Sequence, residues 1–216
     1  MDSSVLPLGG KPPDYYDHPR ADLVAQLPRP LGPTLDVGCG VGGVGAELRR
    51  AGATHLTGIE LDAASARAAR GVFDEVLQDD ALAAATGLAD ASYDTIVCYD
   101  ILEHLFDPAT VLRELHRAAA PGGHLHVSIP NARHASLIRD LYLRGTFGYA
   151  PYGHRDSTHI RWFTRRDIER LLAECGWRVT DVATHPFKRY RQVLTTASGG
   201  ALRELFAVQW FVLCDV

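Results

Sequence analysis

No stretch of this 216-residue chain approaches the roughly 20 consecutive apolar residues that a bilayer-spanning helix needs, so no membrane partner is expected. Met1 to Lys11 holds no basic stretch followed by an apolar core, and the expected location is cytoplasmic. The four cysteines, Cys39, Cys98, Cys175 and Cys214, stand singly with no CxxC pair. That spacing suggests neither a zinc knuckle nor a disulfide framework. Lysine is almost missing, with two residues against twenty arginines, and this bias carries no functional reading. A net charge of −4 lacks the dense basic surface that a long nucleic acid demands. The arginines between Arg155 and Arg170 are a local exception and read as a solvated helix face.

What is present is an ordinary globular composition, 46% hydrophobic and 22% charged, in a length that suits one domain with a substantial core. Residues 1–33 read as an N-terminal cap segment, with a short helix near Ala21 to Leu27 closed by Pro28, Pro30 and Pro33. From residue 34 onward, strand-like and helix-like runs alternate: Thr34–Val37, Gly43–Ala51, His55–Ile59, Ala63–Arg70, Glu75–Leu77, Tyr93–Tyr99, Pro108–Ala120 and His124–Ile129. This rhythm predicts right-handed crossovers and a parallel sheet with helices on both faces, a Rossmann-like α/β fold. The rhythm breaks after Pro130. A helix-like stretch to Arg144 and an aromatic, glycine-bearing loop to Trp162 form an insert of about 132–162, expected to be a mobile lid. A helix over Arg165–Cys175 and strands at Trp177–Thr184 and Phe206–Cys214 complete the domain, 34–216.

Chemistry gathers at the strand ends. Leu35-Asp36-Val37-Gly38-Cys39-Gly40-Val41-Gly42-Gly43 closes the first strand and opens a helix, and its glycines let backbone amides approach a ligand. Gly38, Gly40 and Gly43 also satisfy GxGxxG, which by itself equally permits a dinucleotide. Asp36 tips the balance, because a carboxylate at that turn opposes an anionic pyrophosphate and favours a cationic group. Glu60, followed by Leu61, ends the second strand where an acid can accept from two ribose hydroxyls. Asp79 and Asp80 follow the third strand, in reach of an adenine amino group. Each acid has a plainer reading as a helix cap or turn residue. Those readings leave the glycine turn between them unexplained.

Leu35-Asp36-Val37-Gly38-Cys39-Gly40, with Glu60 and Asp79, resembles the class I S-adenosylmethionine-dependent methyltransferases. The likeness continues through Tyr99-Asp100-Ile101-Leu102-Glu103-His104-Leu105, Pro121-Gly122-Gly123 and Ser128-Ile129-Pro130-Asn131. It implies a seven-stranded, doubly wound sheet whose last strand is antiparallel, S-adenosyl-L-methionine as cofactor, and a donor site of Asp36, Gly38, Gly40, Glu60, Leu61, Asp79, Asp80 and Asp100. Tyr15 and Tyr16 either cover the donor's methionine end or anchor the N-terminal helix. The His159-Ile160-Arg161-Trp162-Phe163-Thr164 segment is similar to members acting on small molecules such as sugars, quinol precursors and secondary metabolites, so a small-molecule acceptor of specialised metabolism is expected.

For such an enzyme the task is to hold a nucleophile about 3 Å from an activated methyl and, for a hydroxyl, to remove its proton. His104, at the carboxyl edge of the sheet, and His159, in the lid, are the catalytic candidates, each with an alternative role in ordering its loop. Tyr142, Phe147, Tyr149, Tyr152 and Trp162 suit an apolar or aromatic acceptor, or pack the lid. Asp100, Glu103 and His104 fall at i, i+3 and i+4, one face of a helical turn. With His159 they resemble, Asp100 replacing the more usual Glu, the metal-binding Glu-x-x-Glu-His plus distant His of small-RNA 2′-O- and ubiquinone-pathway O-methyltransferases. The resemblance leaves a metal at this site open.

Overall fold

In a computed structural model, which describes residues 19–150, 153–200 and 202–216, the alternating runs build a seven-stranded sheet. Its strands are β1 (Pro33–Val37), β2 (His55–Ile59), β3 (Glu75–Leu77), β4 (Tyr93–Tyr99), β5 (Ala119–Pro130), β6 (Arg178–Ala183) and β7 (Gln209–Asp215). The order is β3-β2-β1-β4-β5-β7-β6. The pairs from β3 through β5 are parallel, and β7 runs antiparallel to both β5 and β6. The expected antiparallel last strand is therefore present, starting at Gln209 rather than Phe206.

The helices are α1 (Ala21–Val24), α2 (Gly43–Arg50), α3 (Ala63–Ala69), α4 (Ala81–Gly87), α5 (Pro108–Ala118), α6 (Ala135–Arg144), α7 (Arg165–Glu174), α8 (Arg189–Ala197) and α9 (Arg203–Phe206). Their boundaries follow local chemistry. Asp107 caps α5 by accepting from the Thr110 amide, with Pro108 supplying a preset φ at the first helical position. Thr164 and Asp167 form a reciprocal capping box on α7. Three short helices, α4, α8 and α9, were not anticipated, because alanine-rich or mixed sequence gives them little apolar periodicity.

Strand alternation sends side chains to two cores. One face carries Leu35, Val37, Ile96, Cys98, Leu125, Val127, Trp210 and Val212, covered by Val111, Leu112 and Leu115 of α5 and Ile168 and Leu172 of α7. Trp177 completes that core, its indole N–H donating to the Leu112 carbonyl at 3.0 Å. The other face holds Leu56, Val97, Tyr99 and Phe211 under Leu23, Leu27, Leu31 and Leu48. Thus the described part of the N-terminal segment packs directly on the sheet. Tyr15, Tyr16 and Tyr152 lie outside the described residues. Among those described, no helix is long and apolar enough to cross a membrane.

Candidate active site

The glycine turn leaves β1 at Val37 and crosses to β2, where the Gly38 and Cys39 amides both donate to the Ile59 carbonyl, at 2.8 and 3.0 Å. Gly38 and Gly40 adopt φ of +80° and +55°, a region that disfavours side chains. A Cβ on Gly38 would also sit 3.0 Å from Ile101, so this glycine serves both conformation and space.

Three carboxylates stand at the ends of β1, β2 and β3. Asp36 is buried, and its Oδ2 has no hydrogen-bond partner among the described residues. Burial first, and the Glu60 charge second, push its pKa to about 7. A carboxylate in that state is a receptor for a cation, and the ammonium of a methionine moiety supplies one. Glu60 accepts from the Gly40 amide at 2.9 Å and the Asp62 amide at 2.8 Å, so it braces the turn as well as facing the edge. Asp79 accepts from the Asp80 amide, and Asp80 caps α4 by accepting from the Leu82 amide at 2.9 Å. Leu61, next to Glu60, is 67% exposed, an apolar surface suited to one face of an adenine. These residues fit S-adenosylmethionine at both ends: a buried unsatisfied acid for the ammonium, and an acid and an apolar face for the nucleoside.

Asp100 lies at the end of β4 with φ of +53°. Its carboxylate is held by Arg20 on one oxygen and by Ser128 and Gln209, at 3.0 and 2.7 Å, on the other. Arg20 reaches on to Ser128 and Gln209 at 3.3 and 3.2 Å. The fork thereby ties α1 to the ends of β4, β5 and β7. No sequence pattern pointed to Arg20, which meets Asp100 across 80 residues.

The helical face expected to join Asp100 to Glu103 and His104 does not form, because the chain turns at Asp100 before the single 3₁₀ turn Leu102–His104. Instead one ligating atom each from Glu103, His104 and His159 lies within 4.8 Å of the others. Neither carboxylate oxygen of Glu103 has a hydrogen-bond partner among the described residues. Burial, reinforced by Asp100, raises its pKa well above the ordinary range. The His159 Nε2 is 3.9 Å from this carboxyl, and the two imidazoles meet edge to face at 4.8 Å. Main-chain geometry builds the juxtaposition: the Glu103 carbonyl accepts the Ile160 and Arg161 amides at 2.9 and 3.0 Å, strapping the end of the insert to the sheet.

Outward from His159 runs a row of rings: Trp162 at 5.7 Å, Phe147 at 4.6 Å from Trp162, and Tyr149 at 5.3 Å from Phe147. Tyr142 is exposed on α6. On the helix face between Arg165 and Glu174, Arg165 pairs with Glu169 and Arg170 with Asp167, so those arginines form the solvated face that the sequence suggests.

A largely parallel sheet of this order, with an antiparallel last strand, a glycine turn and an acid at each of three successive strand ends, is a Rossmann-like arrangement. The profile of the methyltransferase-domain family matches residues 14–182. The chain belongs to that family, the class I S-adenosylmethionine-dependent methyltransferases, enzymes whose cofactor is S-adenosyl-L-methionine. It is 31% identical over 156 residues to a ubiquinone biosynthesis O-methyltransferase of Aeromonas salmonicida, covering 69% of this chain and 64% of that one. A second protein of that name, from Paracidovorax citrulli, is 34% identical over 131 residues, covering 54% and 55%. The chain spans about half to two thirds of the length of the curated relatives it matches. Among solved structures, an S-adenosylmethionine-dependent methyltransferase of Mesorhizobium loti superposes with a TM-score of 0.66 at 20% identity, covering 90% of this chain and 96% of that one. The [4+2]-cyclase SpnF shares the fold at a TM-score of 0.64 and 19% identity, covering 90% and 79%. At such identities the likeness establishes the fold alone.

Proposed function

We propose that this protein methylates an oxygen of a small aromatic acceptor, held between the Leu102–His104 turn and the aromatic row of the insert. The observation that carries this reading is the buried Glu103 carboxyl, without a hydrogen-bond partner among the described residues, beside His104 and His159 at the same sheet edge as the donor carboxylates. Phe147, Tyr149 and Trp162 supply flat apolar surfaces for a ring. The curated relatives named ubiquinone biosynthesis O-methyltransferase add a precedent for methylation at oxygen. A place in specialised metabolism belongs to the same proposal.

When bound, the donor supplies a methyl carbon already activated by its sulfonium. The chain's own work is then positioning and proton removal. An acceptor hydroxyl placed at the histidine pair gives its proton to an imidazole nitrogen as its oxygen gains the methyl. The positive charge given up by the sulfonium reappears on the imidazolium, beside the Glu103 carboxyl, and the imidazolium returns its proton to solvent when the product leaves. Asp36 and Glu60 hold the donor, and the strap from Asp156 to Arg161 keeps water out. Product release of S-adenosylhomocysteine should be assayed with a panel of catechols, phenols and amines. Turnover of catechols or phenols is expected; turnover of amines alone overturns the reading.

A second reading is favoured by the clustering itself, since one oxygen and two imidazoles within 4.8 Å match the donor set of a divalent ion. Such an ion would lower the pKa of the acceptor hydroxyl directly and would serve a quinol precursor or an RNA 2′-hydroxyl. Activity lost in chelator and restored by magnesium, manganese or zinc selects this reading. Full activity in chelator, with loss in His159→Ala, selects the histidine base.

A further inference from the structure

His104 is fixed by a chain of hydrogen bonds whose polarity can be read from donor and acceptor chemistry. Its Nδ1 lies 3.1 Å from the Thr158 carbonyl oxygen and 3.1 Å from the Thr158 hydroxyl. A carbonyl oxygen only accepts. The hydroxyl has one proton, and the Asp156 carboxylate lies nearer to it, at 2.8 Å. Proton donation to a carboxylate is the stronger bond, so the hydroxyl turns its lone pairs toward His104. Asp156 is fully buried, and the same Oδ1 also accepts the Thr158 amide at 2.9 Å, which locks the turn that presents both oxygens. The two acceptors on Thr158 therefore demand a proton on Nδ1.

We infer that Asp156 and Thr158 are positioning residues that hold His104 as the Nδ1–H tautomer, placing the lone pair on Nε2. The consequence is directional. In a neutral imidazole with this tautomer, Nε2 is the only nitrogen able to take an acceptor's proton or to ligate an ion. Both readings of the site need that form, and the insert supplies it: Asp156 and Thr158 belong to the segment strapped onto Glu103, whereas His104 belongs to the sheet edge. Docking the strap therefore sets the chemistry of a residue 54 positions away in sequence. A role for His104 in the reaction rests on the function proposed above; its tautomer does not.

The test is a long-range ¹H–¹⁵N correlation spectrum of the ¹⁵N-labelled protein above pH 8, with the His104 signals identified by their loss in His104→Gln. The parent, Thr158→Ser and Asp156→Asn should all show a protonated Nδ1 and an unprotonated Nε2, because each keeps an acceptor for the hydroxyl. Asp156→Ala releases the hydroxyl proton to point at His104, and the Nε2–H form should become populated. Should that variant not fold, Asp156→Leu, which fills the buried volume and still offers the hydroxyl no acceptor, is expected to show the same change. An Nε2–H tautomer in the parent overturns the inference, and so does an unchanged ratio in whichever apolar variant of Asp156 folds. Undiminished turnover by His104→Gln, with the tautomer as stated, would instead remove His104 from the proposed function and leave this inference standing.

Discussion

Glu60 accepts a hydrogen bond from the Gly40 amide at 2.9 Å, so the acid proposed to receive the donor's ribose also holds the glycine turn in shape. The end of β2 and the turn after β1 are thus one unit, organised before any ligand binds.

Glu60→Ala should weaken S-adenosylhomocysteine binding by roughly 1–3 kcal/mol, about 5- to 150-fold in Kd, through loss of a charged acceptor in a partly buried place. Folding should survive with a slightly lower Tm, since the Gly40 and Asp62 amides lose a partner. Calorimetric titration decides it, and unchanged affinity would remove Glu60 from the donor site.

Asp36 is expected to make both stability and, in its proposed place beside the donor's ammonium, donor binding depend on pH. Its folded pKa of about 7 exceeds the unfolded value of about 3.9, so between these limits the native state keeps a proton that the unfolded chain has lost. Stability from this group is present at low pH and declines as pH rises from about 4 to about 7. Asp36→Asn should therefore raise the Tm of the ligand-free protein at pH 8 and leave it near the parent's at pH 4. S-adenosylhomocysteine affinity should rise with pH up to about 7 and then level off. A pH-independent affinity would contradict the pairing of Asp36 with the donor's ammonium.

Arg20 makes four contacts with its guanidinium fork, two through its bond to Asp100 and to Ser128 and others to Gln209 and the Phe211 ring, which lies 5.8 Å away. Arg20→Ala should cost about 1–3 kcal/mol, because Asp100 loses its counter-charge in a half-buried place. A lysine cannot reproduce a planar fork, so Arg20→Lys should recover only part of this in urea denaturation. Complete recovery would show that charge alone suffices.

Hydrogen exchange should divide the insert in two. The Ile160 and Arg161 amides, bonded to the Glu103 carbonyl, should exchange slowly without ligand. Residues 147–149 should exchange fast and slow down when S-adenosylhomocysteine and an acceptor bind. Equal rates with and without ligands would make the insert a rigid part of the fold rather than a lid.

The sequence by itself determined the parallel part of the sheet and the acid-bearing edge proposed to hold the donor, because both are written in short-range pattern. Apolar runs of strand length fix β2, β3 and β4 to the residue, and the glycine turn with Asp36, Glu60 and Asp79 marks the strand ends where this fold binds ligands. The apolar run Phe206–Cys214 marks the last strand, but its antiparallel direction required the family resemblance, since pairing direction with β5 leaves no local signature in Gln209–Asp215. Only the tertiary structure decided how the acceptor side is wired. Spacing put Asp100, Glu103 and His104 on one face, but that assumes a helix beginning at Asp100. The chain instead takes a positive φ there, and the carboxylate turns to Arg20, whose meaning is invisible 80 residues away. Likewise Thr158 and His104 are joined across 54 residues by the strap's bonds to Glu103. Periodicity reports which face of an element is buried, whereas hydrogen-bond direction between distant loops depends on where the backbone places them, and that is settled only when the whole sheet has formed.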